Sequence, residues 1–183
     1  GVDRNVGRVI KQLDDLNLAD NTSVVFTSDH GYSMGHNGIW HKGNGHRVLK
    51  PPPPATNKNI PRGQRPNMYD NSIFVPPAVR WPGHTAPGTK LDLPVANLDW
   101  YPTLLALTGI APPKGETIRG RNISAALLGK KADWPNVCYG EYSTLHQSKT
   151  HMRMNRTAKW KLERDFRNPE RDELFDLKND PAE

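Results

Sequence analysis

Val24-Val25-Phe26-Thr27-Ser28-Asp29-His30-Gly31 is the stretch that decides how this chain folds. Residues 22–27 form a short run rich in β-branched side chains, the composition expected of a strand buried in a parallel sheet. Ser28-Asp29-His30-Gly31 follows at its carboxyl end, where open α/β sheets gather their ligands. Upstream, Val2, Val6, Val9, Ile10, Leu13 and Leu16 recur at helical spacing among Asp, Arg and Lys. Residues 3–17 are therefore expected to form an amphipathic helix, broken at 17–21. Helix, tight turn and strand make half of an α/β unit.

Downstream of Gly31, residues 31–70 show almost no regular pattern. Five glycines (31, 35, 38, 43, 45) and the prolines 51–54 fall in this stretch. A patternless segment of that length in a compact domain is functional or disordered. The glycine and histidine half, 30–46, reads as functional. The proline half, 50–66, reads as an extended, exposed excursion. Order returns with a strand over 72–81, interrupted by Pro76-Pro77 and closed by Pro82-Gly83. A helix capped by Asn97 or Asp99 then runs to Leu107 and stops at Gly109, with Pro102 tolerated in its first turn. A second short helix spans 122–128. Alternating segments at 137–142, 151–154, 160–164 and 173–177 predict a small antiparallel sheet. The expected division is an α/β portion over 1–130 and a small sheet subdomain over 131–183.

With 183 residues the chain has room for one real core and not for two large ones. It opens on Gly1 rather than Met and stops inside a polar turn, so it reads as a piece of a longer protein. The formal charge of +6 suits an anionic substrate or partner, although a solvated basic surface gives the same count. Lys and Arg are dispersed, which argues against a nucleic-acid partner. The single cysteine, Cys138, excludes an internal disulfide. No apolar run reaches the length of a membrane span.

Asp29 and His30, leaving a strand end, are candidate ligands of one divalent cation. Lys42, across a glycine-rich loop in Trp40-His41-Lys42-Gly43, could bring a compact positive charge to an anion held there. A lone Asp-His pair would more simply be a turn cap above a packed histidine; the buried run before it and the glycines and lysine after it favour the ligand reading. His36, His41 and His46 flank the same loop and either line a pocket or sit exposed. His146, Lys149 and Arg153 lie in a polar segment able to reach a substrate's leaving group, or are solvated surface charges.

Taken together these segments resemble the sulfatase family, of the alkaline-phosphatase-like superfamily. Residues 24–31 with Gly38-Ile39-Trp40-His41-Lys42-Gly43 are similar to its metal and lysine segment. Met68-Tyr69-Asp70, Ile73-Phe74-Val75-Pro76 and Arg80-Trp81-Pro82-Gly83 are similar to its "MYE-S-I-R-VP…RWPG" run. Asp99-Trp100-Tyr101-Pro102-Thr103-Leu104-Leu105 is similar to its "D-PTLL" helix. Trp160-Lys161-Leu162 and Glu173-Leu174-Phe175-Asp176-Leu177 are similar to its closing strands. The matches cover nearly the whole chain in the family's order.

The resemblance implies the C-terminal part of an alkaline-phosphatase-like α/β sandwich, a mixed sheet with flanking helices, followed by a small antiparallel subdomain. It implies hydrolysis of sulfate esters, of a sulfated small molecule or glycan, by a formylglycine nucleophile over bound Ca²⁺. Asp29 matches the family's second-half metal aspartate, and His30 the neighbouring ligand position. Lys42 matches the lysine that contacts the transferring sulfate. The family also suggests a periplasmic or extracellular setting. One departure bears on activity: Cys138 stands in Val137-Cys138-Tyr139-Gly140-Glu141, without the proline or arginine of the C/S-x-P-x-R nucleophile motif. Cys138 is thus expected to be a small buried residue, and the chain alone is expected not to turn over. The alternatives are a phosphonate or phosphodiester hydrolase of the same superfamily, and a non-catalytic basic module that binds glycans.

Overall fold

The computed structural model describes residues 1–48 and 50–183, and these form a mixed α/β structure with antiparallel sheets. They divide into two compact units that interleave along the chain. The first comprises Gly1–Thr27 and Pro76–Trp134, the second Ser28–Val75 and Pro135–Glu183.

In the first unit, helix α1 spans Val2–Asp15. It ends where Asn17 turns left-handed (φ 56°), with Leu18 N donating to Leu13 O and Asn17 N to Asp14 O. This is a Schellman closure, with asparagine in the place glycine usually takes. Strand β1, Val24–Phe26, follows. It pairs with β4, Ala78–Arg80, and the pairing is antiparallel, in the register Val24 to Arg80, Val25 to Val79 and Phe26 to Ala78. The neighbour found within this chain is thus antiparallel where a parallel one was expected, and among the described residues Val24 and Val25 are half-buried and Phe26 is exposed. A β-branched run reports strand preference and carries no information on the direction of its neighbour.

Helix α3, Trp100–Thr108, closes on Gly109 at φ 69°. Asp99 does not cap it as expected. Its fully buried carboxylate accepts from Ala96 N at 2.9 Å and Arg121 N at 2.7 Å, tying the chain before the helix to the segment leading into α4, Ser124–Leu127.

In the second unit, β5 (Val137–Leu145), β6 (Lys149–Thr157), β7 (Trp160–Asp165) and β8 (Glu173–Asp176) form an antiparallel meander in chain order. Side chains alternate between faces. The inner face buries Thr150, Met152 and Met154 from β6 and Lys161, Glu163 and Asp165 from β7. The apolar part of this core is thin: Met68, Met152 and Met154, with Ile73, Tyr142 and a half-buried Cys138 against them. At about 1.5–3 kcal/mol for each fully buried side chain, three methionines cannot account for the core alone.

Much of the remainder is ionic, and it grips residues 65–72. Met68 N donates to Glu163 Oε2 at 3.1 Å, and Lys161 Nζ donates to Met68 O at 2.5 Å. Arg171 donates to Pro66 O and to Asp165 Oδ2. Lys161, wholly buried, also lies 3.2 Å from Asp70, 3.2 Å from Glu163 and 2.7 Å from Glu183. Burial opposes its charge, but these carboxylates outweigh burial and raise its pKa. Burial likewise opposes ionisation of Asp70, and the forked hydrogen bonds from Arg156 with the Lys161 charge hold its pKa below the ordinary value.

Two further expectations are corrected in this unit. Residues 72–75 were expected to extend a strand; instead α2, Asp70–Ile73, forms a single helical turn, with Phe74 N donating to Asp70 O at 2.6 Å. Asp70-Asn71-Ser72 is a poor strand opening, and Asp70 is held by Arg156 and Lys161. The segment 50–66 is not exposed throughout. Ile60 and Pro66 are buried, Asn57 and Asn59 both donate to Asn168 Oδ1, and the expected exposure holds at Pro51, 54–56, Lys58, Pro61 and Arg62.

Candidate functional site

Every candidate residue lies in the second unit. Asp29 and His30 occupy the loop that leaves β1. Asp29 is open to solvent, its side chain 86% exposed, and its Oδ1 lies 3.6 Å from His30 Nε2. His30 Nδ1 is 2.6 Å from Gly31 O. A carbonyl only accepts, so Nδ1 carries a proton, and in the neutral ring Nε2, on the side of Asp29, is the nitrogen left to act as a ligand. This tautomer, fixed by a backbone carbonyl, is the usual setting of a metal-ligating histidine. The two donors fit part of a divalent-cation site. Calcium prefers six to eight oxygen ligands, so Asp29 is the better donor and His30 the softer one. Among the described residues no group of three or more His, Cys, Asp or Glu is gathered for a metal. Any cation held by Asp29 and His30 would need further ligands.

Gly31 is required by packing. A Cβ there would meet Asn71 O at 2.3 Å, and Gly31 N donates to Ser72 O at 2.9 Å. Ser33 Oγ and Ser72 Oγ lie 3.2 Å apart, and Ser72 Oγ donates to Asn67 Oδ1 at 2.7 Å. The loop bearing Asp29 and His30 thus rests on α2.

Residues 39–47 form a tight hairpin from β2 (Ile39–Trp40) to β3 (His46–Arg47). His41 sits at φ 76°, a conformation that costs a non-glycine residue about 1–3 kcal/mol. It is held there by Ser33 N on its carbonyl at 2.9 Å and by Tyr32 Oη on its Nδ1 at 3.1 Å. His41 and His46 rings lie 5.3 Å apart, and Tyr32 meets Trp40 edge-on at 6.0 Å. His41, His46, Tyr32 and Trp40 thus form one exposed aromatic cluster. Lys42 is exposed and makes no ion pair among the described residues, while its surrounding backbone is fixed. Gly45 N donates to Lys42 O, Asn67 N to Gly43 O at 2.8 Å and Arg65 N to Gly45 O at 3.0 Å. The result is an ammonium on a rigid base with a free side chain.

The other candidates are placed differently. His36 turns back on its own turn, Nδ1 donating to Ser33 O at 2.8 Å. His146 is exposed in the β5–β6 turn. Its neighbour Gln147 accepts from Asn44 Nδ2 at 3.5 Å and Gln64 Nε2 at 3.0 Å, which brings that turn against the loop following Lys42. Lys149 is exposed on the same turn and its N–H donates to Asn59 O. Arg153 stands opposite Met152 and Met154 and pairs with Glu141 at 3.4 Å across the strands, so its charge is already engaged. Sequence reading missed Tyr32, Asn44, Asn67, Ser72 and Gln147. Their partners lie up to 103 residues away (Asn44 with Gln147), and only Tyr32 had a local signal, as an aromatic beside the motif.

A family model described as sulfatase matches residues 1–110. The chain belongs to the sulfatase family. A second model, N-sulphoglucosamine sulphohydrolase, C-terminal, matches residues 64–183 of this sulfatase chain. Rat steryl-sulfatase is 38% identical over 131 residues, covering 70% of this chain and 20% of that protein. The N-acetylglucosamine-6-O-sulfatase of Bacteroides thetaiotaomicron is 28% identical over 188 residues, covering all of this chain and 29% of that protein. The structure of BT4656 in complex with its substrate D-glucosamine-2-N,6-O-disulfate superposes with a TM-score of 0.78 at 26% identity, over 99% of this chain and 33% of that one. The chain therefore spans about a fifth to a third of the length of these relatives. Its fold is that of the sulfatases, of the alkaline-phosphatase-like class.

Proposed function

We propose that the complete protein carrying this chain is a sulfatase that hydrolyses sulfate esters of a carbohydrate, and that this chain supplies part of its cation and anion site. The observation that carries the carbohydrate reading is the extent of the likeness. The matches to the glucosamine-type C-terminal model and to the N-acetylglucosamine-6-O-sulfatase take in the terminal sheet, whereas steryl-sulfatase aligns with only 70% of the chain.

Asp29 and His30 would hold one divalent cation, Ca²⁺ in this reading, together with ligands from outside the chain. When bound, the cation supplies positive charge to a sulfate oxygen. Lys42 would set its ammonium against the remaining sulfate oxygens or the leaving oxygen, its backbone being fixed in advance by Ser33, Arg65 and Asn67. Such preorganised charge stabilises a transition state without reorganisation at the moment of reaction. The nucleophile, a formylglycine in this reading, would also come from outside, since Cys138 lies half-buried against the methionine cluster with neither proline nor arginine of the motif. By itself the chain would be inactive.

The test is a substrate panel on the complete protein: glucosamine 6-O- and N-sulfates, N-acetylgalactosamine 6-sulfate and a steryl sulfate, each with and without a calcium chelator. Preference for a sulfated sugar with loss on chelation supports the reading. Turnover of steryl sulfate alone overturns the substrate class, and undiminished activity in chelator overturns the cation.

A further inference from the structure

One buried segment braces both halves of the site. Residues 65–72 hold the Asp29–His30 loop through Ser72 O on Gly31 N (2.9 Å) and the Ser72–Ser33 hydroxyl contact. The same residues hold the Lys42 loop through Asn67 N on Gly43 O (2.8 Å) and Arg65 N on Gly45 O (3.0 Å). Asn67 links the two ends, because its side-chain oxygen accepts from Ser72 Oγ and its amide donates to Arg65 O. Added methyls at Gly31 and Gly45 would each meet backbone of this segment, Asn71 O and Arg65 O, at 2.3 Å. Both glycines are the contact points of one brace.

The brace is in turn gripped by charges on the inner face of the sheet. Lys161 and Glu163 take the two backbone groups of Met68. Arg156 forks onto Asp70, the first residue of α2, and Lys161 reaches the same carboxylate. Side chains held in this way act on the loops beyond. They fix where the strap's carbonyls and amides stand, and those are the atoms that Gly31, Gly43 and Gly45 contact.

We propose that Arg156, Lys161 and Glu163 are positioning residues: through residues 65–72 they set the relative placement of the Asp29–His30 and Lys42 segments. This rests on the functional reading above, and it places catalytic control in a sheet whose charged residues touch none of the candidate ligands directly.

The test compares Arg156→Met with Arg156→Lys in the complete protein. Arg156 is only half-buried and most of the cage stays intact in either variant, so both should fold. Groups hydrogen-bonded directly to metal ligands, when removed, lower metal affinity or activity by about 10–100-fold, and Arg156, which acts at a further remove, is expected at the low end. Arg156→Met is expected to weaken calcium binding, measured by calorimetry, about tenfold and to lower kcat by a similar factor, with KM changed less than about threefold. Amide exchange should quicken at 30–33 and 43–46, and Arg156→Lys should recover most of each effect. Faster exchange confined to 66–70 and 154–163, with calcium affinity and kcat within twofold of the parent, would overturn the proposal. Failure of the functional reading has a separate signature: Asp29→Ala would leave calcium binding unchanged, while exchange at Gly31 and Gly43 in Arg156→Met would still decide whether the brace operates.

Discussion

Asp165 offers the sharpest perturbation of the buried network. Its carboxylate accepts from five donors. His151 N at 3.0 Å and Arg167 N at 3.1 Å meet Oδ1, while Thr150 Oγ1, Asn168 Nδ2 at 2.7 Å and Arg171 Nη1 at 2.9 Å meet Oδ2. Burial works against the charge, but this donor set holds its pKa below the ordinary value. Asp165→Asn preserves shape and places an NH₂ where one oxygen was. Whichever way the amide turns, two donors face it on one side or three on the other. Arg171, itself buried, loses its charge partner and keeps Pro66 O. Breaking a buried pair by removing one member costs about 3–5 kcal/mol, because an uncompensated charge stays inside. That is a large part of the roughly 5–15 kcal/mol that holds a typical domain together. Urea unfolding of the complete protein, followed by a probe in the terminal sheet, should show the midpoint fall accordingly. The double variant Asp165→Asn/Arg171→Met should recover part of the loss, since the unpaired cation is gone. A loss below about 1 kcal/mol for the single variant would refute this account of the network; in the double, recovery is reduced by the Pro66 carbonyl that Arg171 no longer serves.

Three further outcomes are expected. Gly31→Ala should destabilise the protein by about 1–3 kcal/mol in urea unfolding, because the obstruction at Asn71 O is backbone and cannot rotate away; unchanged stability would mean that α2 shifts freely. Lys42→Ala in the complete protein should lower kcat by about 10²–10³ on its sulfated substrate with the melting temperature unaltered, since the side chain is exposed and unpaired among the described residues; activity within about twofold would assign it to ordinary surface. Asp70, with its folded pKa below its ordinary value of 3.8, contributes stability that is complete above that value and is lost as pH falls through the folded one. The unfolding midpoint should therefore drop as pH is lowered below about 4, and Asp70→Asn should flatten that part of the profile.

The elements with strong local signals were legible in the sequence: α1 from its 3.6-residue periodicity, the stop of α3 at Gly109, and the four terminal strands from alternation between turns. The loops that carry the candidate residues stand out in the sequence because glycine, histidine and lysine concentrate in 30–46, where no core pattern competes. What failed shares one cause. The direction of β1, the helical turn at Asp70–Ile73 and the burial of Ile60 are all set by partners far along the chain, and propensity does not encode them. Asp99 is the clearest case. As an acidic residue one position before a helix it reads as a cap, yet Arg121 N, 22 positions later, takes its oxygen. The Lys161 cage was invisible for a related reason. In Trp160-Lys161-Leu162-Glu163-Arg164 the alternation puts Lys161 and Glu163 on one face and Trp160 and Leu162, with Arg164, on the other, and a sequence reader turns the face of Lys161 and Glu163 outward. The structure turns Lys161 and Glu163 inward, leaving Leu162 and Trp160 exposed.

That inversion has a physical reason in the segment the sheet faces. Residues 66–68 lie against β7 without pairing as a strand, and Pro66 has no N–H to offer a ladder. Their buried peptide groups still need partners. Glu163 accepts from Met68 N, Lys161 donates to Met68 O, and Arg171 donates to Pro66 O, so side chains do the pairing that a neighbouring strand would otherwise do. An apolar inner face would strand three backbone groups, each at about 1–3 kcal/mol. Replacing a buried ion pair with hydrophobic residues is often neutral or stabilising; in this sheet it would not be, because the charges serve the backbone opposite as well as one another. A strap held by side chains can keep its own backbone free of strand geometry. That freedom is what lets Arg65, Asn67 and Ser72 present their amides and carbonyl to Gly45, Gly43 and Gly31, on the two loops where the candidate ligands sit.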